Sequence, residues 1–80
     1  MDTIERIITV FENVFEDEID INSVKPDANL VTDIGMNSIG MLYMAMALEE
    51  EFGIKFSNSD FDMLNTVSDV AALIENKTAV

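Results

Sequence analysis

The fold of this chain is decided by residues 38–53, which read SIGMLYMAMALEEEFG. Apolar residues recur there at helical spacing, and one stripe comprises Met41, Met44, Ala45, Leu48 and Phe52. A second stripe comprises Ile39, Tyr43, Met46 and Ala47. We predict a helix from Ser38 to Phe52 that ends at Gly53, because glycine commonly closes a helix at that position. One stripe can face the core and the other a partner; the alternative is a central helix buried nearly all round.

Helical periods also flank this segment. The stripe that precedes it consists of Ile4, Ile7, Ile8, Phe11 and Phe15. Asp2 followed by Glu5 resembles a capping box with Asp in place of Ser or Thr. We therefore predict a first helix that ends near Glu16.

The residues after Gly53 predict a short extended link over 54–56, one short helix within 57–64 and a last helix. In the short helix, Phe61 and Leu64 should face inward. Thr66 and Asp69 have the spacing of a helix cap with an acid in the first turn. The last helix carries a stripe of Val67, Val70, Ala71 and Ile74. We expect this helix to fray from Asn76 onward.

Residues 18–37 show no sustained period and contain Pro26, Asn29 and Gly35. A loop of this length is unusual in a compact domain and often serves a function. Its apolar residues could anchor it to the core: Ile21, Val24, Leu30 and Ile34. The expected fold is all-α: a single domain over residues 1–80, a four-helix bundle with three main helices, one short helix and a long loop between the first two main helices.

The charge of the chain limits its partners. Sixteen acidic and four basic residues give a net charge of −12. Such a polyanion repels phosphate backbones and anionic lipid surfaces, so neither nucleic acid nor membrane is an expected partner. Basic protein surfaces are good candidate partners, and the alternative is that the charge serves only solubility. With no Cys and no His, disulfides, common zinc sites and His-activated nucleophiles are excluded.

The junction of the long loop and the second helix carries the candidate chemistry. Gly35 permits a tight approach or a positive φ just before the helix begins. Ser38 lies in the first turn, where unpaired backbone N–H groups favour a phosphate on the hydroxyl. The alternative is that Ser38 serves only as the helix cap.

Four blocks of the sequence resemble one family. The run Asp33-x-Gly35-x-x-Ser38-Ile39 resembles the phosphopantetheine attachment motif of acyl carrier proteins, in which Asp-Leu-Gly precedes Asp-Ser-Leu. The other blocks resemble the family's loop before the motif, the end of its second helix and the opening of its last helix; they are residues 26–28, 46–54 and 66–70. The resemblance covers nearly the whole chain, in order and at the family's spacing.

The resemblance implies a carrier and not an enzyme. A transferase would move 4′-phosphopantetheine from coenzyme A onto Ser38, and the thiol of this arm would carry acyl groups as thioesters. Its partners would be phosphopantetheinyl transferase and acyl-loading and acyl-processing enzymes with basic docking surfaces, in fatty-acid, polyketide or related acyl metabolism. Because such partners read the family's second helix, recognition roles are implied for Asp33, Asn37, Ile39, Tyr43, Met46, Ala47 and Glu50.

Three features depart from the family pattern. Asn37 stands where the family usually has Asp, and Ile39 stands where it usually has Leu. Gly40 and Tyr43 occupy a stretch that is commonly acidic in fatty-acid carriers. These departures favour a specialised carrier in a dedicated pathway over a housekeeping role in fatty-acid synthesis.

Other classes of protein fit the sequence less well than the acyl carrier. A peptidyl or aminoacyl carrier commonly has a Gly-Gly-His-Ser or Gly-Gly-Asp-Ser type of motif and less acid. A cofactor-free interaction module would use the acidic surface and the Met-rich helix, with Ser38 as a cap. A calcium sensor lacks the spacing of an EF-hand loop, and no constellation of catalytic groups supports an enzyme. No signal peptide or membrane span is seen, so we expect a cytoplasmic protein. We also expect a monomer.

Overall fold

The computed structural model describes residues 2–78, apart from the side chains of Asp17 and Ile21. Four α-helices follow one another in this range: α1 Thr3–Phe15, α2 Ser38–Phe52, α3 Asn58–Phe61 and α4 Val67–Thr78. Two short 3-10 turns, Glu16–Glu18 and Ile21–Ser23, lie between α1 and α2. No strand is formed within residues 2–78, so the predicted all-α class, with three main helices and one short helix, is confirmed.

Helix α1 begins and ends where the sequence predicts. The Asp2 carboxylate accepts the Glu5 N–H at 2.8 Å, which caps the first turn. The buried face comprises Ile7, Val10, Phe11 and Phe15, whereas Ile4 and Ile8 are half-buried beside the core. Glu16 follows with a positive φ of +48°, which departs from helical backbone and ends the helix.

Helix α2 has two different faces, so the alternative of burial all round is wrong. The inner face buries Met44, Ala45 and Leu48 against α1 and the long loop, with Met41 and Phe52 half-buried at its edge. Four large apolar side chains point outward and are exposed: Ile39, Leu42, Tyr43 and Met46. Gly53 closes the helix in the left-handed conformation at φ of +66°, as predicted.

The long loop is pinned to the bundle from inside. Val24, Leu30 and Ile34 are buried as expected, together with Ala28 and Met36; the predicted anchor Ile21 lies outside the described side chains. The loop also reaches the start of α4, where the Leu30 N–H donates to the Asn65 carbonyl at 2.8 Å. The backbone that leads to α2 is therefore held at fixed points.

The C-terminal helices confirm most of the predicted pattern. Thr66 and Asp69 cap α4 reciprocally, with N–H to side-chain oxygen distances of 3.0 and 3.2 Å. The inward stripe of α4 comprises Val67, Val70, Ala71 and Ile74. Before it, Leu64 is buried and Phe61 half-buried.

The expected fraying from Asn76 is wrong for residues 76–78. Helix α4 continues to Thr78, whose hydroxyl donates to the Ile74 carbonyl at 2.9 Å. Lys77 pairs with Asp60 of α3 at 2.9 Å, which holds the last turn. Residues 79–80 lie outside the described range, and no helix within residues 2–78 is long and apolar enough to cross a membrane.

Candidate functional site

The first turn of α2 is capped by Asn37 and not by Ser38. Asn37 has extended backbone, and its Oδ1 accepts the Gly40 N–H at 2.8 Å. Ser38 is the first residue of the helix, and its side chain is exposed. The interpretation of Ser38 as the helix cap is therefore wrong, because its neighbour already fills that role.

The backbone just before the cap is fixed by a glycine turn and a buried methionine. Gly35 has φ of +92°, one of the two possibilities that a glycine at this position permits. Met36 follows with its side chain buried, and its N–H donates to the Leu30 carbonyl at 2.9 Å. This anchoring places Ser38 on the surface at a defined point of the helix end.

Asp33 stabilises the loop that leads to Ser38. Its carboxylate accepts the Asn29 N–H at 2.7 Å, and the side chain of Asn29 accepts the N–H groups of Val31 and Thr32, each at 2.9 Å. The sequence marked Asn29 only as a loop residue and not as a hydrogen-bonding one, although Asn and Asp commonly bond nearby backbone in turns. Asp33 is exposed, so its carboxylate also remains accessible from solvent.

A phosphate group fits the surroundings of Ser38. The first turn of α2 contains no acidic residue, and the helix end presents backbone N–H groups and a partial positive charge. The capping bond uses the N–H of Gly40, two residues beyond Ser38, and leaves the serine hydroxyl outside the cap. A phosphodiester on this hydroxyl would meet favourable backbone charge and no carboxylate of the same turn.

The predicted recognition residues fall into three groups. Ile39, Tyr43 and Met46 share the outward face of α2 with Leu42, which sequence reasoning missed. These four residues are called the outer stripe below. Ala47 is half-buried and lines a cleft between α1 and α2, so it lies beside the stripe rather than on it.

The remaining recognition residues lie at the two ends of α2. Asp33 and Asn37 are exposed at the loop end, next to Ser38. Glu50 is exposed near the opposite end, beyond Met46. Leu42 could have been found from its spacing alone, since Ile39, Leu42, Tyr43 and Met46 fall at i, i+3, i+4 and i+7.

Known proteins resemble this chain along most of its length. The family described as "Phosphopantetheine attachment site" matches residues 5–74. An acyl carrier protein of Helicobacter hepaticus is 36% identical over 75 residues, which cover 94% of this chain and 96% of that protein. An acyl carrier protein of Solidesulfovibrio magneticus is 39% identical over 59 residues, 74% of this chain and 76% of that protein. An acyl carrier protein of Bdellovibrio bacteriovorus is 37% identical over 59 residues, again 74% of this chain and 76% of that protein.

The helical fold and the attachment-site match together define a phosphopantetheine-dependent carrier domain. Within that class, the chain belongs to the acyl carrier protein family. Its cofactor is phosphopantetheine, whose thiol carries the acyl group as a thioester, and its function is exercised through partner enzymes. A member of this family is a carrier of acyl groups.

Proposed function

We propose that Ser38 is the residue that carries the phosphopantetheine arm. The observation that supports this most directly is the division of roles at the start of α2, where Asn37 caps the helix and Ser38 is exposed beside it. In the transfer, Ser38 Oγ would lose its proton and form a phosphodiester bond as the bond to the 3′,5′-ADP portion of coenzyme A breaks.

The hydroxyls of Ser57, Ser59 and Ser68 already take part in hydrogen bonds within the structure. Ser57 caps α3, and its hydroxyl lies 3.0 Å from that of Ser59. Ser68 Oγ donates to the Pro26 carbonyl at 2.7 Å, which ties α4 to the loop. These serines therefore make suitable controls for a modification assigned to Ser38.

The test of this proposal is the intact mass of the protein after incubation with coenzyme A and a phosphopantetheinyl transferase of broad specificity. The wild type and Ser59→Ala should each gain one phosphopantetheine, and Ser38→Ala should gain none. Modification of Ser38→Ala to the same extent as the wild type would overturn the assignment.

Asn37 provides a second control in the same experiment. Asp caps a helix about as well as Asn, so Asn37→Asp restores the family's charge while it keeps the cap. If no wild-type protein is modified but Asn37→Asp is, Ser38 is the attachment site and the missing carboxylate limits the transferase. If neither is modified by several transferases, the proposal for Ser38 fails.

The proposed pathway is a dedicated one rather than housekeeping fatty-acid synthesis. Residues 34–48 contain no charged side chain, although the family's fatty-acid carriers commonly carry acids on this helix. We expect a malonyl transferase of fatty-acid synthesis to load the modified protein about tenfold more slowly than a conventional acyl carrier protein, because complementary charge speeds association. Equal rates would contradict a dedicated role.

The match to the attachment-site family favours a carrier over a cofactor-free interaction module, and the names of the relatives favour acyl over peptidyl or aminoacyl cargo. Recognition of Asp33, Asn37, Ile39, Tyr43, Met46, Ala47 and Glu50 by acyl-loading and acyl-processing enzymes is part of the proposal. A monomeric state, a location in the cytoplasm and a single domain over residues 1–80 stay predictions.

A further inference from the structure

A seam between α1 and α2 opens on the surface of the bundle beside Ser38. It consists of two open clefts, of about 310 and 480 Å³, that share Val14 of α1. The first cleft is lined in part by Ile39, the chain neighbour of Ser38, and the second continues to Val10 and Ala47. Each volume lies within the roughly 300–1,000 Å³ that small-molecule sites occupy. The seam therefore begins at the proposed attachment residue and follows α2 away from it.

Apolar side chains from both helices line the seam along its length. Val14 of α1 faces Ile39 and Tyr43 of the outer stripe across the first cleft. Gly40 contributes no side chain between them, and a Cβ there would lie 3.6 Å from the Phe15 ring. A larger residue at this position would fill the seam. A hydrocarbon chain laid in the seam would leave water for contact with carbon on both helices.

Carboxylates stand at the two ends of the seam. Glu18 lines the first cleft, and Glu50 and Glu51 line the second. Glu51 is paired with Arg6 at 3.0 Å, and no Lys or Arg is found among the described residues that line either cleft. The potential in the seam is therefore negative, which disfavours an anionic group and accepts an uncharged one.

We propose that an uncharged, apolar acyl chain carried on the arm at Ser38 lies in the seam between α1 and α2, on the surface and outside the core. The proposal rests on the attachment at Ser38 proposed above. Because the chain is tethered beside the seam, its local concentration there is on the order of millimolar, so weak apolar contacts suffice to hold it. A second copy of this chain is a poorer occupant, since each copy has a net charge of −12.

The inner face of α2 offers the acyl chain less room. Met44 and Leu48 are 0% exposed and belong to the same core cluster as Phe11 of α1. Protein interiors are close-packed, so a chain that entered there would have to displace these side chains. The seam needs no such rearrangement, because its clefts are already open.

The experiment loads two acyl arms of equal chain length onto the protein. The transferase is supplied with hexanoyl-coenzyme A or adipoyl-coenzyme A, which differ in the carboxylate that ends the adipoyl chain. Intact and fragment masses report whether the acyl arm is on Ser38. Nuclear Overhauser contacts between the chain protons and the ¹³C-labelled methyl groups of the protein then report where the chain lies.

Two valines provide matched variants. Val14→Asp places a charge in the middle of the seam, and Val31→Asp makes the same change in the long loop. Val14 is 36% exposed and Val31 is 56% exposed, but Val31 does not line either cleft. Circular dichroism checks that each variant is folded, and the contacts of the wild type decide the proposal if Val14→Asp is not.

The expected result is that the hexanoyl chain contacts the methyl groups of Val14, Ile39 and Ala47 and not those of Met44 or Leu48. The adipoyl chain should lose these contacts, because its carboxylate meets the negative potential of the seam. Val14→Asp should abolish the hexanoyl contacts, and Val31→Asp should leave them as they are in the wild type.

Four results would overturn the placement of the chain while leaving the attachment intact. They are hexanoyl contacts to Met44 and Leu48, no hexanoyl contact with the protein, adipoyl contacts equal to those of hexanoyl, and contacts that grow with protein concentration. The last would mean that the chain of one molecule lies on another. A mass that shows no arm on Ser38 would instead overturn the attachment, and the placement with it.

Discussion

The inner and outer faces of α2 are built from the same residue types but meet opposite surroundings. Met44 and Leu48 are 0% exposed in the core, whereas Met46 and Leu42 are 64% and 55% exposed. The inner face holds the bundle together, and the outer face is available to a partner. Composition alone does not separate the two roles in this helix; the direction of each side chain does.

The largest expected effect comes from a pair of leucines on the two faces. Leu48→Ala should lower the free energy of unfolding by about 2–5 kcal/mol, because it leaves a cavity in the core, and Leu42→Ala should change it by less than about 0.5 kcal/mol. Urea denaturation followed by circular dichroism measures both. Equal losses for the two variants would break the comparison.

A smaller effect should separate Asn37 from Ser38 at the start of the helix. Asn37→Ala removes the capping bond to the Gly40 N–H and should cost about 1 kcal/mol of unfolding free energy. Asn37→Asp and Ser38→Ala should each stay within about 0.5 kcal/mol of the wild type. A Ser38→Ala loss as large as that of Asn37→Ala, again by urea denaturation, would contradict the assigned cap.

Gly40 lies at the border between the two faces and tests how tightly α2 meets α1. A Cβ at this position would lie 3.4 Å from Asn37 Oδ1 and 3.6 Å from the Phe15 ring, which is ordinary contact. Gly40→Ala should therefore raise the unfolding free energy by up to about 0.8 kcal/mol, through better helix propensity. A lower melting temperature would show that the α1–α2 contact there has no room for a methyl group.

The smallest effect on stability is expected from the ion pair of Lys77 and Asp60, which lies outside α2. The Ser57 N–H, and then Lys77, hold the pKa of Asp60 below its ordinary value. A lowered pKa means that the contribution of Asp60 to stability is present at neutral pH and is lost as the pH falls through the pKa of the folded state. Asp60→Asn should therefore be less stable than the wild type near neutral pH, and the difference should shrink in acid. The measurement is the melting temperature of both proteins from neutral to acidic pH. A constant difference between the wild type and Asp60→Asn over that range would contradict the prediction.

Much of this fold follows from local patterns in the sequence. The bounds of α2 are predicted correctly because the signals that set them are local: the apolar spacing lies within the helix, and Gly53 directly follows it. The buried loop anchors Val24, Leu30 and Ile34 are predicted from their apolar character. The candidate attachment residue Ser38 is predicted from its place at a recognisable helix start after Gly35, together with the resemblance to the family's motif.

The errors arise where a contact depends on residues distant in the sequence or on a choice between neighbours. Asn37 and Ser38 are both good helix caps, and only the structure shows which one bonds the Gly40 N–H. Ala47 shares a helical period with Met46, but the position of α1 makes it half-buried. The last turn of α4 is held by Lys77 through Asp60 of another helix, which the local pattern around Asn76 does not contain.

The measurement that tests the central claim most directly is fragment mass analysis of the protein after treatment with coenzyme A and the transferase. Phosphopantetheine should be found on the peptide that contains Ser38, with none on the peptides that contain Ser23, Ser57, Ser59 or Ser68. Phosphopantetheine on any of those other serines, with Ser38 unmodified, would contradict the proposal. The outer face of α2 would then not adjoin the site at which the partner enzymes act.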